Sequence, residues 1–184
     1  AATVSAGVNA TICEGSTHAT LGVFGGGASS ILWTTSGSGT FLDDTDPTTT
    51  YTPSAGDITA GSVTLTITTN NPAGPCGSAS DNMLLTIDPA ITMSDAGAEQ
   101  DLCNITTATL AGNTPAGSET GTWTTVSGTG SASSVNSPTS GVTGLTIGGT
   151  TVLRWTITAG FGGCSPSTND VAINVDPAIT TADA

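Results

Sequence analysis

The sequence predicts an all-β chain, folded as two tandem β-sandwiches set end to end in an array. Three observations carry that expectation. Apolar residues alternate with polar ones along several segments, as in Val63-Thr64-Leu65-Thr66-Ile67-Thr68, which is the period of a strand with one buried face. The chain has 38 threonines among 184 residues, and a β-branched side chain suits the solvent face of a strand. Finally, the sequence repeats itself, with Cys13 and Cys103 90 residues apart and Cys76 and Cys164 88 apart. That period is the size of one small sandwich, far above that of a solenoid turn. Glycine, serine and acids with only 4% aromatics also resemble a disordered linker. Only 8% of residues are charged, mean hydropathy is +0.16, and the period-2 order is strong, so a folded chain is expected.

The strands of the first repeat are expected at residues 3–7, 17–23, 31–35, 39–42, 48–52, 62–69 and 82–87. Val63, Leu65 and Ile67 face inward there, and Thr64, Thr66 and Thr68 outward. Glycine- and proline-rich stretches such as Gly25-Gly26-Gly27 and Asn71-Pro72-Ala73-Gly74-Pro75 separate the strands. No segment carries a useful 3.6-residue period, so helix is expected to be nearly absent. In the second repeat Leu153-Arg154-Trp155-Thr156-Ile157-Thr158 aligns with residues 63–68, which sets Trp155 in the place of Leu65. Asp88-Pro89-Ala90-Ile91-Thr92 returns as Asp176-Pro177-Ala178-Ile179-Thr180. The expected divisions are 1–88, 89–176, and 177–184 as the first strand of a following repeat or a strand docked on a neighbour. Trp33, Trp123 and Trp155 are the expected core anchors, the first two on the third main strand of each repeat.

These residues resemble the tandem immunoglobulin-like or PKD-like repeats of giant secreted surface proteins of the Bacteroidetes, such as gliding-motility-associated adhesins exported by the type IX system. The likeness lies in Ile12-Cys13-Glu14-Gly15, the run from Leu32 to Phe41, Tyr51-Thr52-Pro53-Ser54-Ala55 and residues 153–158. It implies an immunoglobulin-like sandwich and an extracellular stalk, adhesin or filament role, with identical or similar repeats as partners.

Four cysteines in an extracellular chain argue for disulfides, and no Cys-x-x-Cys or histidine pairing suggests zinc. One bridge per repeat, Cys13–Cys76 and Cys103–Cys164, is the simple pairing. Yet Cys13 is expected before the second strand and Cys76 after the sixth, at opposite ends of a sandwich. A seven-residue strand spans about 23 Å, while bridged Cα atoms lie within about 7 Å. The favoured pairing is therefore Cys13–Cys164 between repeats, with Cys76 and Cys103 bonded to neighbouring repeats or subunits. The pairing within each repeat stays open as the alternative.

Net charge is −13, with Arg154 the single cation among lysines and arginines. Nucleic-acid binding needs a cationic footprint, and a basic membrane patch needs the same, so neither partner is expected. No apolar run nears the 18 or so residues that span a bilayer. Asp43, Asp44 and Asp46 form the densest acidic cluster and are candidate calcium ligands, the only cofactor considered. Asp88, Asp95, Asp176 and Asp183, with Glu99 and Asp101, recur at repeat junctions and could cap turns there or hold calcium. Asn9 and Asn104 begin formal glycosylation sequons. His18 is the only histidine and is expected to be a half-exposed strand residue. With no nucleophile–base constellation, an enzyme is not expected. The leading expectation is a non-enzymatic segment of an extracellular fibre or adhesin stalk, stiffened by disulfides. The alternative is a module that binds carbohydrate or a cell surface, for which Phe24 and Phe161 are the exposed aromatic candidates.

Overall fold

The computed structural model describes residues 1–73, 75 and 77–179. The chain divides into two compact units. The first holds Ala1–Ala90 together with Phe161–Cys164, and the second holds Ile91–Gly160 and the chain from Ser165 onward. Both are all-β with two opposed sheets, in an immunoglobulin-like arrangement, and one six-residue helix lies in the first.

In the first unit the elements are β1 (Thr3–Ser5), β2 (Ala10–Cys13), β3 (His18–Ala19), β4 (Val23–Gly25), β5 (Ile31–Thr35), β6 (Thr40–Phe41), β7 (Thr50–Thr52), α1 (Ala55–Ala60), β8 (Ser62–Thr69) and β9 (Ser80–Asp88). One sheet runs β2-β9-β8-β5 and the other β3-β7-β6, while β1 pairs with β4. All neighbours are antiparallel except β2 and β9, which run parallel. Val63, Leu65 and Ile67 of β8 are buried, with Thr64, Thr66 and Thr68 more exposed, as the alternation requires. They pack with Trp33, Tyr51, Met83 and Leu85 into one core.

Two local expectations need correction, and one stretch adds a short helix. The strand expected over 17–23 is two strands, because β3 pairs with β7 while β4 crosses to β1. Gly22 makes the crossing: its amide donates to the Pro47 carbonyl at 2.9 Å, and a Cβ there would sit 2.7 Å from that oxygen. Cys13 does not sit in a corner before a strand, but ends β2, paired to Asp88 of β9. The stretch after Pro53 folds as α1. Ser54 caps it by accepting from the Asp57 amide, Asp57 returns a bond to the Ser54 amide, and Gly61 ends it at φ 74°.

In the second unit the elements are β10 (Gln100–Cys103), β11 (Ala108–Thr109), β12 (Thr120–Ser127), β13 (Ser131–Ala132), β14 (Gly141–Thr143), β15 (Gly149–Thr158) and β16 (Ser167–Asp176). They form the sheets β10-β16-β15-β12 and β11-β14-β13, the same order as in the first unit. The core gathers Trp123, Leu145, Leu153, Trp155, Ile157 and Ile173.

Cross-strand register revises the alignment of the repeats. Trp33 lies opposite Ile67, and Trp123 lies opposite Trp155. Trp155 is therefore the counterpart of Ile67, not of Leu65. A second pair of bonds agrees: Asp81, opposite Ile67, accepts from the Ala6 amide, and Asn169, opposite Trp155, accepts from the Ala96 amide. A two-residue slip keeps every side chain on the same face, so alternation alone could not reveal it. Volume is exchanged to match. Gly121 stands where the first unit has Ile31, and a Cβ on it would run into the Trp155 ring. Trp155 fills that space and packs on Trp123 with centroids 4.9 Å apart.

Candidate functional site

The most elaborate constellation in the first unit surrounds Cys13. Parallel pairing of β2 with β9 brings Cys13 beside Asp88, and the next amide, of Glu14, donates to the Asp88 carbonyl at 2.8 Å. Glu14 in turn accepts from the Ala90 amide at 3.1 Å, which ties the Asp-Pro-Ala segment to the strand end. Phe161–Cys164 comes from the loop between β15 and β16 and belongs to this unit. Cys164 is disulfide-bonded to Cys13, with Cα atoms 4.7 Å apart, the pairing favoured from the sequence. The Gly163 amide donates to the Asp88 carboxylate at 2.9 Å, and Asp88 is 6% exposed. Gly163 is held so close that a Cβ would lie 2.7 Å from the Ile12 carbonyl oxygen and 2.8 Å from Asp88 Oδ2. The site is thus a seat: a cysteine to bond, a carboxylate to take one amide, and a backbone wall that admits only glycine there.

The second unit carries the same framework. Parallel pairing of β10 with β16 sets Cys103 beside Asp176, and the Asn104 amide donates to the Asp176 carbonyl at 2.8 Å. Cys103 is an exposed free thiol whose sulfur lies 3.9 Å from the Pro177 carbonyl oxygen. Asp176 is exposed, in contrast to Asp88. Cys76 lies outside the described residues, as does Asp183.

The remaining sequence candidates have local roles. Asp43 accepts from both the amide and the hydroxyl of Thr45, and these bonds hold its carboxyl below the usual range. Asp46 does the same for Thr48, and the Asp44 carbonyl accepts from the Trp33 amide. The Asp43 and Asp46 carboxylates cap turns, and the three do not converge. Among the described residues no group of three or more His, Cys, Asp or Glu is placed to hold a metal ion. Asp95 accepts from the Gly97 amide, and Asp101 accepts from the Asn174 side chain. Asn9 is exposed, and its side-chain oxygen accepts from the Leu84 amide at 2.9 Å. Asn104 is exposed too and adopts φ 55°. Burial lowers the His18 pKa. Trp33, Trp123 and Trp155 are at most 2% exposed, whereas Phe24 and Phe161 are 38% and 58% exposed.

Sequence reasoning missed one buried group. Asp57 is 3% exposed and accepts four bonds, from the amides of Ser38, Gly39 and Ser54 and from the Tyr51 hydroxyl at 2.7 Å. Burial alone would raise its pKa, but these donors outweigh it and hold the carboxyl below its ordinary value. Burial, with Asp57 as neighbour, raises the Tyr51 pKa. The signal was present in Ser54-x-x-Asp57 with Gly61 beyond it, a capping pattern with a stop.

No family model matches the chain, and no curated protein matches it. Among solved structures it is similar to a PKD domain studied in solution, at 22% identity and TM-score 0.42, covering 52% of this chain and 96% of that one. It is also similar to a SusE-like surface-located polysaccharide-binding protein from the Bacteroides thetaiotaomicron heparin utilisation locus. Identity there is 14% and TM-score 0.40, over 91% of this chain and 33% of that one. Drosophila OTK extracellular domains 3–5 match at 11% identity and TM-score 0.46, over 94% of this chain and 59% of that one. The chain thus spans about a third of the SusE-like protein.

Proposed function

We propose that this chain is a non-enzymatic, load-bearing segment of an extracellular fibre or adhesin stalk, built from tandem sandwiches divided near residues 88 and 176 and stapled by disulfides. In this reading Cys13–Cys164 is a mechanical bypass, with Cys103 and Cys76 carrying the bonds to neighbouring repeats. One observation supports it above others: the bonded cysteines are 151 residues apart in sequence. Tension applied to the two ends passes along the chain to Cys13, crosses the sulfur–sulfur bond and leaves from Cys164. Most of both cores lies inside the closed ring, with Ala6 of the first and Val171, Ile173 and Val175 of the second outside it, so force can draw out the end strands but cannot extend the chain between the two cysteines without breaking a covalent bond. At about 3.5 Å per extended residue the ring withholds roughly 500 Å of chain.

Pulling single molecules from their two ends tests this. The oxidised chain should extend only by the short segments outside the ring. After reduction, unfolding steps summing to roughly 500 Å should appear. Long steps in the oxidised chain would show that the bond does not carry the load. The carbohydrate-binding alternative has less support, because all three tryptophans, the usual stacking platforms for sugars, are buried. No helix among the described residues is long and apolar enough to cross a membrane.

A further inference from the structure

We propose that the corner of the second unit at Cys103 is an unfilled copy of the Cys13 seat, and that it takes a glycine–cysteine loop of another repeat unit, bonded through Cys103. This rests on the stapled-stalk reading and deepens it by naming what the partner must look like. The argument compares two seats within one chain. Cys13 pairs with Asp88 and Cys103 with Asp176 in the same parallel register, and each is followed by an amide that donates to that aspartate's carbonyl at 2.8 Å. In the first unit Gly163-Cys164 fills the seat, the Asp88 carboxylate takes the Gly163 amide, and Asp88 is buried. In the second unit the thiol is free and Asp176 is exposed.

The filled seat states the requirements. The residue before the partner cysteine must offer an N–H to the carboxylate, and it must lack a Cβ, because no room exists against the Ile12 carbonyl. Glycine meets both conditions. The chain's other cysteine, Cys76, is preceded by Pro75, which has no N–H and carries a ring. A second copy of this chain presenting Cys76 is therefore the wrong partner, and a repeat with Gly-Cys at that loop is the right one. Bonding proceeds by thiol–disulfide exchange. The Cys103 thiolate attacks the partner sulfur of a mixed disulfide, the new bond forms as the old one breaks, and the electron pair leaves with the released thiolate. No oxidant is consumed.

The test uses the chain with Cys76→Ser, so that Cys103 is the single thiol while Cys13–Cys164 stays closed. Three peptides, Phe-Gly-Gly-Cys-Ser, Phe-Gly-Ala-Cys-Ser and Ala-Gly-Pro-Cys-Gly, are supplied as glutathione mixed disulfides. Intact mass then gives the equilibrium fraction of Cys103 bonded to each. Folded chain should favour the Gly-Gly-Cys peptide on the order of tenfold over the other two, the worth of one hydrogen bond to a carboxylate. In denaturant the three should be equal, and Asp176→Ala should remove most of the preference. Equal constants for all peptides, each above the denatured value, would overturn the glycine requirement and leave a stapling corner standing. Constants no higher than in denaturant would overturn the seat and the stapling role of Cys103 together. If Cys76→Ser fails to fold, fragment mapping of Cys103 adducts on the unsubstituted chain reads the same quantity.

Discussion

Replacing Asp57 by asparagine tests whether a single buried carboxylate organises one end of the first unit. Its Oδ2 accepts from Gly39 N, Ser54 N and the Tyr51 hydroxyl, at 2.7 to 3.0 Å, and Oδ1 accepts from Ser38 N at 3.0 Å. Asparagine has one acceptor oxygen. Keeping it among the three donors turns the amide nitrogen toward the Ser38 N–H, donor against donor. The loss of one charged hydrogen bond costs about 2 kcal/mol, and weakening three others to neutral acceptors adds about 1 kcal/mol more. A total near 3 kcal/mol lowers the melting temperature of a unit this size by roughly 15 °C. The pH response has a definite sign. The folded pKa is depressed, so the stability due to Asp57 is fully present above the unfolded value of about 4 and is lost as pH falls through the folded value. Denaturant unfolding between pH 7 and 2, with hydrogen exchange of β8 and β9 as the local probe, measures both effects. The asparagine chain should be weaker at pH 7 and should lose less on acidification, by up to about 1.4 kcal/mol per pH unit within the titration window. Equal stability at pH 7 with an unchanged acid slope would refute the reasoning.

Three further outcomes are expected. Replacing Cys13 and Cys164 by serine should destabilise the chain by about 2 to 5 kcal/mol in denaturant titration, the range for closing so long a loop. Trp33→Phe should cost about 1 to 2 kcal/mol less than Trp123→Phe, because the Trp33 indole N–H has no acceptor among the described residues while that of Trp123 donates to Ser137 and Pro138 carbonyls. Gly121→Ala should destabilise the second unit by about 1 to 3 kcal/mol, by pressing on the Trp155 ring, and Trp155 fluorescence would report the shift.

Period-2 alternation was the most legible signal, because β8 and β15 each bury every second residue against a core. The internal repeat made the bond Cys13–Cys164 an expectation, since it showed which cysteine stands where in each unit. What failed was anything decided across strands. The two-residue slip of Trp155 was invisible because it preserves facing. The short strand β2 was hidden because a parallel edge strand of four residues, Ala-Thr-Ile-Cys, carries too little alternation to stand out. Asp57 was passed over because Ser54-Ala55-Gly56-Asp57 reads as an ordinary polar loop until Tyr51 and the 37–39 turn close over it. Asp43, Asp44 and Asp46 looked like a cation site because proximity in sequence says nothing about where lone pairs point, and threonine neighbours claim two of the three side chains.

The two units solve their interiors differently. One packs Ile31 and Ile67 around Trp33, and the other packs Gly121 and Trp155 around Trp123. One closes an end with Tyr51 and Asp57, and the other with the apolar pair Val142 and Leu145. Folding alone therefore tolerates wide exchange of volume and polarity at these positions. Cys13 with Asp88 and Cys103 with Asp176 share residue type, register and the adjoining amide bond, yet neither cysteine belongs to a core cluster. A sandwich does not need that arrangement to bury its apolar face. Its recurrence is accounted for by what the filled seat does, which is to bond a loop covalently and exclude every residue but glycine beside the bond. The proposal that the Cys103 seat takes a partner loop extends that account to the second unit, and the glycine requirement makes it testable with a five-residue peptide.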